Sequence, residues 1–183
     1  MADALLTPYI KRCLRKTNPA LKLSADLGQK LNKKLNRVAR ALTRGAVESA
    51  QAADRKTLLH KDIQSALIRL SGDEDLCGKL MHQAAKATTA LDTSSSKAKH
   101  ARSARAGLSF SVSRATVILR NGDNTLRVSE NAAVYLAAIM EGLVYEMFQT
   151  AGQLCVDNNR KVVQVHDFEK TLEGSKSLQD VFL

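Results

Sequence analysis

Displaced by 105 positions, the chain falls into register with itself, and two stretches align without gaps, Leu14 to Leu67 and Leu119 to Leu172. Leu14-Arg15 meets Leu119-Arg120, and Leu21-Lys22-Leu23-Ser24 meets Leu126-Arg127-Val128-Ser129. Leu31 meets Leu136, Ala46 meets Ala151, Arg55-Lys56 meets Arg160-Lys161, Asp62 meets Asp167 and Leu67 meets Leu172. Identity is low while element lengths agree, so the duplication is one of architecture, which an internal repeat of this period leads one to expect.

Each copy reads as a short helix, a loop, a long helix, a loop and a short helix. In the first, Thr7 is placed to cap a helix with Pro8 at its first position, a helix that breaks at Asn18-Pro19. Ser24 caps the long helix from Ala25 to about Ala52, where Leu27, Leu31, Leu35, Val38, Leu42 and Ala46 form one stripe. A third helix carries Ile63, Ala66, Leu67 and Leu70 and ends at Gly72. In the second copy Ile118 and Leu119 mark the short helix and Ser129 caps the long one, apolar nearly all round. Phe168 and Leu172 mark the last, which stops at Gly174. The first copy alone has a fourth helix, opened by Asp73, Glu74 and Asp75 and followed by Thr93-Ser94-Ser95-Ser96 and a basic stretch. A helix of about 42 Å flanked by two short ones cannot bury its own stripe. The expected fold is therefore all-α, with two such units folding on each other as an internal pseudo-dimer.

Charge points to the partner. Lys and Arg number 28 against 18 Asp and Glu, a net +10. Residues 1–96 hold most of the excess, Lys97, Lys99, Arg102 and Arg105 add to it, and residues 106–183 are slightly acidic. Such a balance favours nucleic acid or an anionic membrane surface. The basic residues matched between the two copies fall in loops opposite each other and not on one amphipathic helix with a bulky apolar face, which argues against a membrane. Cys13, Cys77 and Cys155 are dispersed and read as core. The histidines 60, 82, 100 and 166 have no partner at metal or catalytic spacing, and no nucleophile elbow, phosphate loop or carboxylate pair is present. No enzyme, cofactor, metal or small-molecule substrate is expected.

The residues also resemble a known family, the core histones. Residues 9–96 resemble histone 2B, notably at Lys-Asp-Ile-Gln-Ser-Ala 61–66 and from Lys86-Ala87 through Thr93-Ser94-Ser95. Residues 105–160 resemble histone 2A through Arg105-Ala106-Gly107-Leu108-Ser109-Phe110, Leu119-Arg120, Arg127-Val128, Val134-Tyr135-Leu136-Ala137-Ala138, Ala151-Gly152 and Asp157-Asn158. Fusion in this order is similar to the histone doublets of giant DNA viruses. The resemblance implies two histone folds forming an intramolecular head-to-tail pseudo-heterodimer. The boundaries expected are residues 1–93 for the first unit with its extra helix, 94–109 for a basic linker and lead-in, and 110–183 for the second unit.

It also implies a mechanism. Loop 1 of each unit should lie beside loop 2 of the other, with Arg55, Lys56 and Thr57 near Arg127, and Arg160 and Lys161 near Lys22. The two first helices should meet between them and present Lys11, Arg12, Arg15, Arg114 and Arg120. With Arg102 and Arg105 of the lead-in, these are the expected contacts to double-stranded DNA, bent without base readout as part of a nucleosome-like particle. Arg55 with Asp62, and Arg160 with Asp167, are expected structural pairs, of modest value if exposed. Glu141 and Glu146, with Glu74 or Asp75, match what remains of the acidic patch through which such proteins meet chromatin partners. The basic N-terminal tail and long C-terminal docking segment of the family have no counterpart here. The implied protein partner is a histone 3–4-like pair or doublet, and the implied location the nucleus, viral chromatin or a virion. The competing reading is a histone-fold scaffold of the transcription-factor kind, binding proteins through the same pairing.

Overall fold

In the computed structural model, residues 4–93, 101–123 and 125–182 are described. The expected linker residues 94–100, with Lys97, Lys99 and His100, lie outside them. The first half runs α1 (Thr7–Thr17), β1 (Lys22–Leu23), α2 (Ala25–Ala52), β2 (Thr57–Leu58), α3 (His60–Ser71) and α4 (Glu74–Thr93). The second runs α5 (Arg102–Arg105), α6 (Val112–Arg120), β3 (Arg127–Val128), α7 (Glu130–Asp157), β4 (Val162–Val163), α8 (Val165–Gly174) and α9 (Lys176–Phe182).

The duplication reaches the details that start and stop the long helices. Ser24 Oγ accepts from the Leu27 N–H at 3.3 Å and Ser129 Oγ from the Ala132 N–H at 3.2 Å. Beyond their C-termini the backbone turns left-handed at Asp54 (φ 49°) and Asn159 (φ 53°), matched positions holding the residue types that, after glycine, best tolerate it. The stripe Leu27, Leu31, Leu35, Val38, Leu42, Ala46 is buried throughout.

The other half covers most of α7, on which α1, α3 and α4 pack. α2 packs chiefly on α3 and α1 of its own half, and α6, α8 and α9 of the second half complete its cover. Because α4 lies along α7, that helix can be apolar on almost every side, and both Leu35 and Met140 are buried at mid-helix. Gly142 permits the approach: a Cβ there would meet Leu80 Cδ2 at 2.6 Å and collide with Gln83 Oε1.

The structure differs from expectation in three places. α1 begins one residue early, with Leu6 as its N-cap, because Leu6 is buried and its carbonyl accepts from the Tyr9 and Ile10 N–H groups at 2.9 and 3.1 Å. The lead-in contains the short α5, whose Ser103 Oγ accepts from the Val112 N–H at 3.0 Å, while Ser111 caps α6 by accepting from the Arg114 N–H at 3.3 Å. After Gly174 the chain forms α9, in which Leu178, Val181 and Phe182 are buried and Phe182 meets Phe168 edge-on at 5.8 Å. That helix covers apolar surface that α2, α3 and α8 would otherwise expose.

Candidate nucleic-acid interface

The loops join the halves by two short parallel strand pairs, β1 with β4 and β2 with β3. At one end the Lys22 N–H donates to the Lys161 carbonyl at 2.8 Å and the Ser24 N–H to the Val163 carbonyl at 3.1 Å. At the other, the Arg127 N–H donates to the Lys56 carbonyl at 2.9 Å and the Ser129 N–H to the Leu58 carbonyl at 3.1 Å. These are the same bonds under the 105-residue displacement. Each loop 1 thus lies against the opposite loop 2, and Lys22 with Lys161, and Arg127 with Lys56, form two exposed cation pairs. Thr57, half-buried, pairs in register with Arg127.

Arg55 and Arg160 sit beside these pairs with their guanidiniums already engaged. Arg160 donates to Asp167 through Nη1 at 2.8 Å and Nη2 at 2.5 Å; Arg55 holds Asp62 in the same bidentate way, with Nη1 at 2.8 Å. The carboxylates also accept from the backbone N–H groups of Leu59 (2.8 Å) and Gln164 (2.9 Å), closing the first turns of α3 and α8. The aspartates are 2% and 1% exposed, so the modest value assigned to an exposed pair does not apply. Burial pushes each carboxyl up, but the arginine bond, the backbone N–H and the neighbouring positive charge together hold it below the usual carboxylate range. Of the two roles expected for Arg55 and Arg160, the geometry displays the structural one; the free cations at the ends are lysines 22, 56 and 161 and Arg127.

Not all helix cations fall in the middle of the edge, as the sequence suggested. Lys11 and Arg15 of α1 share a groove of about 260 Å³ with Lys22, Leu14, Leu21 and Leu23, so they belong to the end of the edge. Arg120, matched to Arg15 in the repeat, is exposed at the end of α6, which packs on β3 beside Arg127. α1 and α6 meet by their N-terminal ends, where the Tyr9 and Phe110 rings lie 5.7 Å apart and Arg12 sits 5.8 Å over Tyr9. That leaves Arg12 and the exposed Arg114 in the middle. Arg102 is half-buried in α5, and Arg105 donates to the Leu91 carbonyl at 3.5 Å, over the end of α4.

The expected acidic remnant is corrected at Glu141. That residue is 4% exposed: its Oε2 accepts from the Ser109 and Phe110 N–H groups at 2.6 and 2.9 Å, and its Oε1 from the Tyr145 hydroxyl at 2.8 Å. It anchors the strand of chain before α6 and presents no charge to a partner. Its neighbourhood is dry enough that burial pushes the Cys13 thiol up to about 12. Glu74 and Asp75 are exposed and Glu146 half-buried, but Lys79 sits among them, 2.8 Å from Asp75 and drawn by Glu146. Among the described residues, no group of three His, Cys, Asp or Glu could hold a metal, and no helix is long and apolar enough to cross a membrane.

Residues 8–67 and 109–172 each match the family described as histone-like transcription factor (CBF/NF-Y) and archaeal histone. The chain belongs to this family. It is 42% identical over 67 residues to histone H2A of Kluyveromyces lactis, covering 37% of this chain and 52% of that protein. To histone H2A.2 of Scheffersomyces stipitis it is 35% identical over 85 residues, covering 46% of this chain and 65% of that protein. The chain thus spans between half and two thirds of the length of these relatives. The crystal structure of the histone from Methanopyrus kandleri superposes with a TM-score of 0.62 over 98% of this chain and 100% of that one, at 18% identity, which speaks to the fold. The protein is all-α and consists of two histone folds in tandem, paired head to tail within one chain.

Proposed function

We propose that this histone doublet packages duplex DNA, binding phosphates along the edge that runs from Lys22 and Lys161 to Arg127 and Lys56. The observation that carries the reading is the duplicated loop pairing, which sets an exposed cation pair at each end of one surface by identical backbone bonds. Arg12 and Arg114 supply the middle, and Lys11, Arg15 and Arg120 reinforce the ends. The cations of the edge can neutralise phosphate on any sequence, so preference follows groove width and bendability.

In this reading residues 1–93 act as a histone 2B-like unit, 110–183 as a histone 2A-like unit and 94–109 as their linker. The pair is half of a nucleosome-like particle whose other half is a histone 3–4-like pair or doublet. The similarity to histone H2A relatives supports a nuclear chromatin setting. The fusion order supports a source among giant DNA viruses. The family description also names transcription factors, but cation pairs at both ends of the edge weigh against a purely protein-binding scaffold. No step of this function requires a bond-making residue.

Nuclease digestion of random duplex assembled with the chain, with and without such a histone pair, tests both levels. Protected fragments of discrete length with the pair support the particle. Binding that is sequence-independent and falls steeply with salt, but without discrete protection, leaves a DNA-coating protein. Duplex affinity unaffected by salt and by Arg127→Ala refutes the DNA reading.

A further inference from the structure

The loop edge leaves unused the helix with the most cations, α2. α2 carries Lys30, Lys33, Lys34, Arg37, Arg40 and Arg44 against Asp26 and Glu48. Two of these cations turn toward the second unit: Lys30 lies 2.5 Å from Glu169, and Lys34 Nζ donates to the Phe182 carbonyl at 2.9 Å. The others form a ridge on the solvent face. Lys33, Arg37, Arg40 and Arg44 follow at spacings of four, three and four, about 16 Å at 1.5 Å per residue. Lys33, Arg37 and Arg44 are exposed and make no hydrogen bond or ion pair among the described residues.

Like charges one turn apart repel, and a solvated helix face ordinarily interleaves signs. The molecule does so elsewhere, as Asp75 and Lys79 show on α4. On α2 the only acidic group along the ridge is Glu48, one turn past Arg44. The repeat makes the asymmetry plain: the positions on α7 matched to the ridge are Ala138, Gly142, Tyr145 and Gln149. α7 is roofed by α4; among the described residues no helix roofs the ridge face of α2, which carries no acidic residue between Lys33 and Arg44. The ridge also joins the edge. Arg40 and Arg44 share a groove of about 370 Å³ with Ile118, Asn121 and Gly122 at the end of α6, next to Arg120.

We infer that Lys33, Arg37 and Arg44 on the α2 ridge form a second phosphate-binding surface for duplex DNA, beyond the loop edge. The inference rests on the DNA reading above for its choice of ligand. Duplex carries one charge per about 1.7 Å of axis, so the ridge spans enough phosphates to engage Lys33, Arg37 and Arg44. The self-repulsion of the free helix face is relieved on binding.

The test uses the full chain and a random duplex of about 40 base pairs, with affinity measured across salt concentration. The ridge variant is Lys33→Gln, Arg37→Gln, Arg44→Gln; the edge variant is Lys22→Gln, Arg127→Gln. A control of equal charge change, Lys86→Gln, Lys170→Gln, Lys176→Gln, lies on α4, α8 and α9. Each lost phosphate contact flattens log K against log salt by about 0.9, so the ridge variant should flatten it by about 2 to 3 and the control by less than about 0.5. Duplex should also protect Lys33, and not Lys170, from acetylation. The ridge variant should melt no lower than the parent, since repulsion is removed. An unchanged slope in the ridge variant with a flattened one in the edge variant overturns the ridge and leaves the edge standing. The converse result overturns the edge alone. Protection of Lys33 by polyglutamate and not by duplex assigns the ridge to an acidic protein and overturns the inference.

Discussion

Replacing Asp167 with Asn separates the stabilising role of Arg160 from its charge. The carboxylate is 1% exposed and accepts from Arg160 Nη1 and Nη2, from the Gln164 N–H at 2.9 Å, and lies 3.1 Å from His166 Nε2. Asn keeps the shape and one acceptor oxygen, but its NH2 faces a guanidinium donor. Breaking a buried ion pair costs about 3–5 kcal/mol where both groups are dry. The Arg160 side chain is 27% exposed and recovers some hydration, which brings the expected loss to about 2–4 kcal/mol. For a chain of this length that lowers the melting temperature by roughly 5–15 °C. The freed guanidinium stands beside Lys161 at the end of the edge, so duplex affinity below the melting range should hold or rise, with the salt slope steeper by up to about 0.9. Thermal unfolding by circular dichroism and salt-dependent binding measure the two halves of the prediction. A loss under about 0.5 kcal/mol, or weaker DNA binding by the folded variant, would falsify the separation of roles.

Leu35→Ala should cost about 2–5 kcal/mol, since Leu35 is fully buried at the middle of α2; urea unfolding showing under about 0.5 kcal/mol would contradict that burial. Gly142→Ala should cost about 1–3 kcal/mol by displacing the buried Leu80 side chain, readable in the same assay, whereas Gly78→Ala, with open space around it, should not destabilise. Both loop aspartates titrate below their unfolded value of about 3.9, so their stabilisation is complete above that value and drains away as pH falls through the folded pKa values. Acid titration should therefore show the parent losing stability below about pH 4, and Asp167→Asn losing less over that window.

Most of the architecture is legible in the residues because it rests on local rules. Ser24 and Ser129 cap, Gly72 stops a helix with φ 58°, and the stripe from Leu27 to Ala46 fixes which face of α2 turns inward. The cation loops are legible because duplication places Lys22 against Arg127 and Lys56 against Lys161 in the sequence itself. α9 escaped because seven residues give too short a periodic signal, although Leu178, Val181 and Phe182 stand at helical spacing. Glu141 was misplaced because matching a family position says nothing of exposure; only its acceptance of the Ser109 and Phe110 N–H groups reveals an internal anchor.

The sequence by itself determined two helical units, their capping and lengths, and a net charge suited to a polyanion. Those properties depend on neighbours within a turn or two, or on composition, and need no coordinates. Tertiary structure alone decided which cations are free. Arg55 and Lys56 are adjacent in sequence and equally charged at neutral pH, yet one is held by a buried carboxylate and the other faces solvent. It also decided that α7 is roofed by α4 while, among the described residues, Lys33, Arg37 and Arg44 of α2 stay exposed, so that a stripe of Lys and Arg becomes a surface. Coulomb attraction and desolvation act through space, and the distances that set them exist only once the two halves have closed on each other.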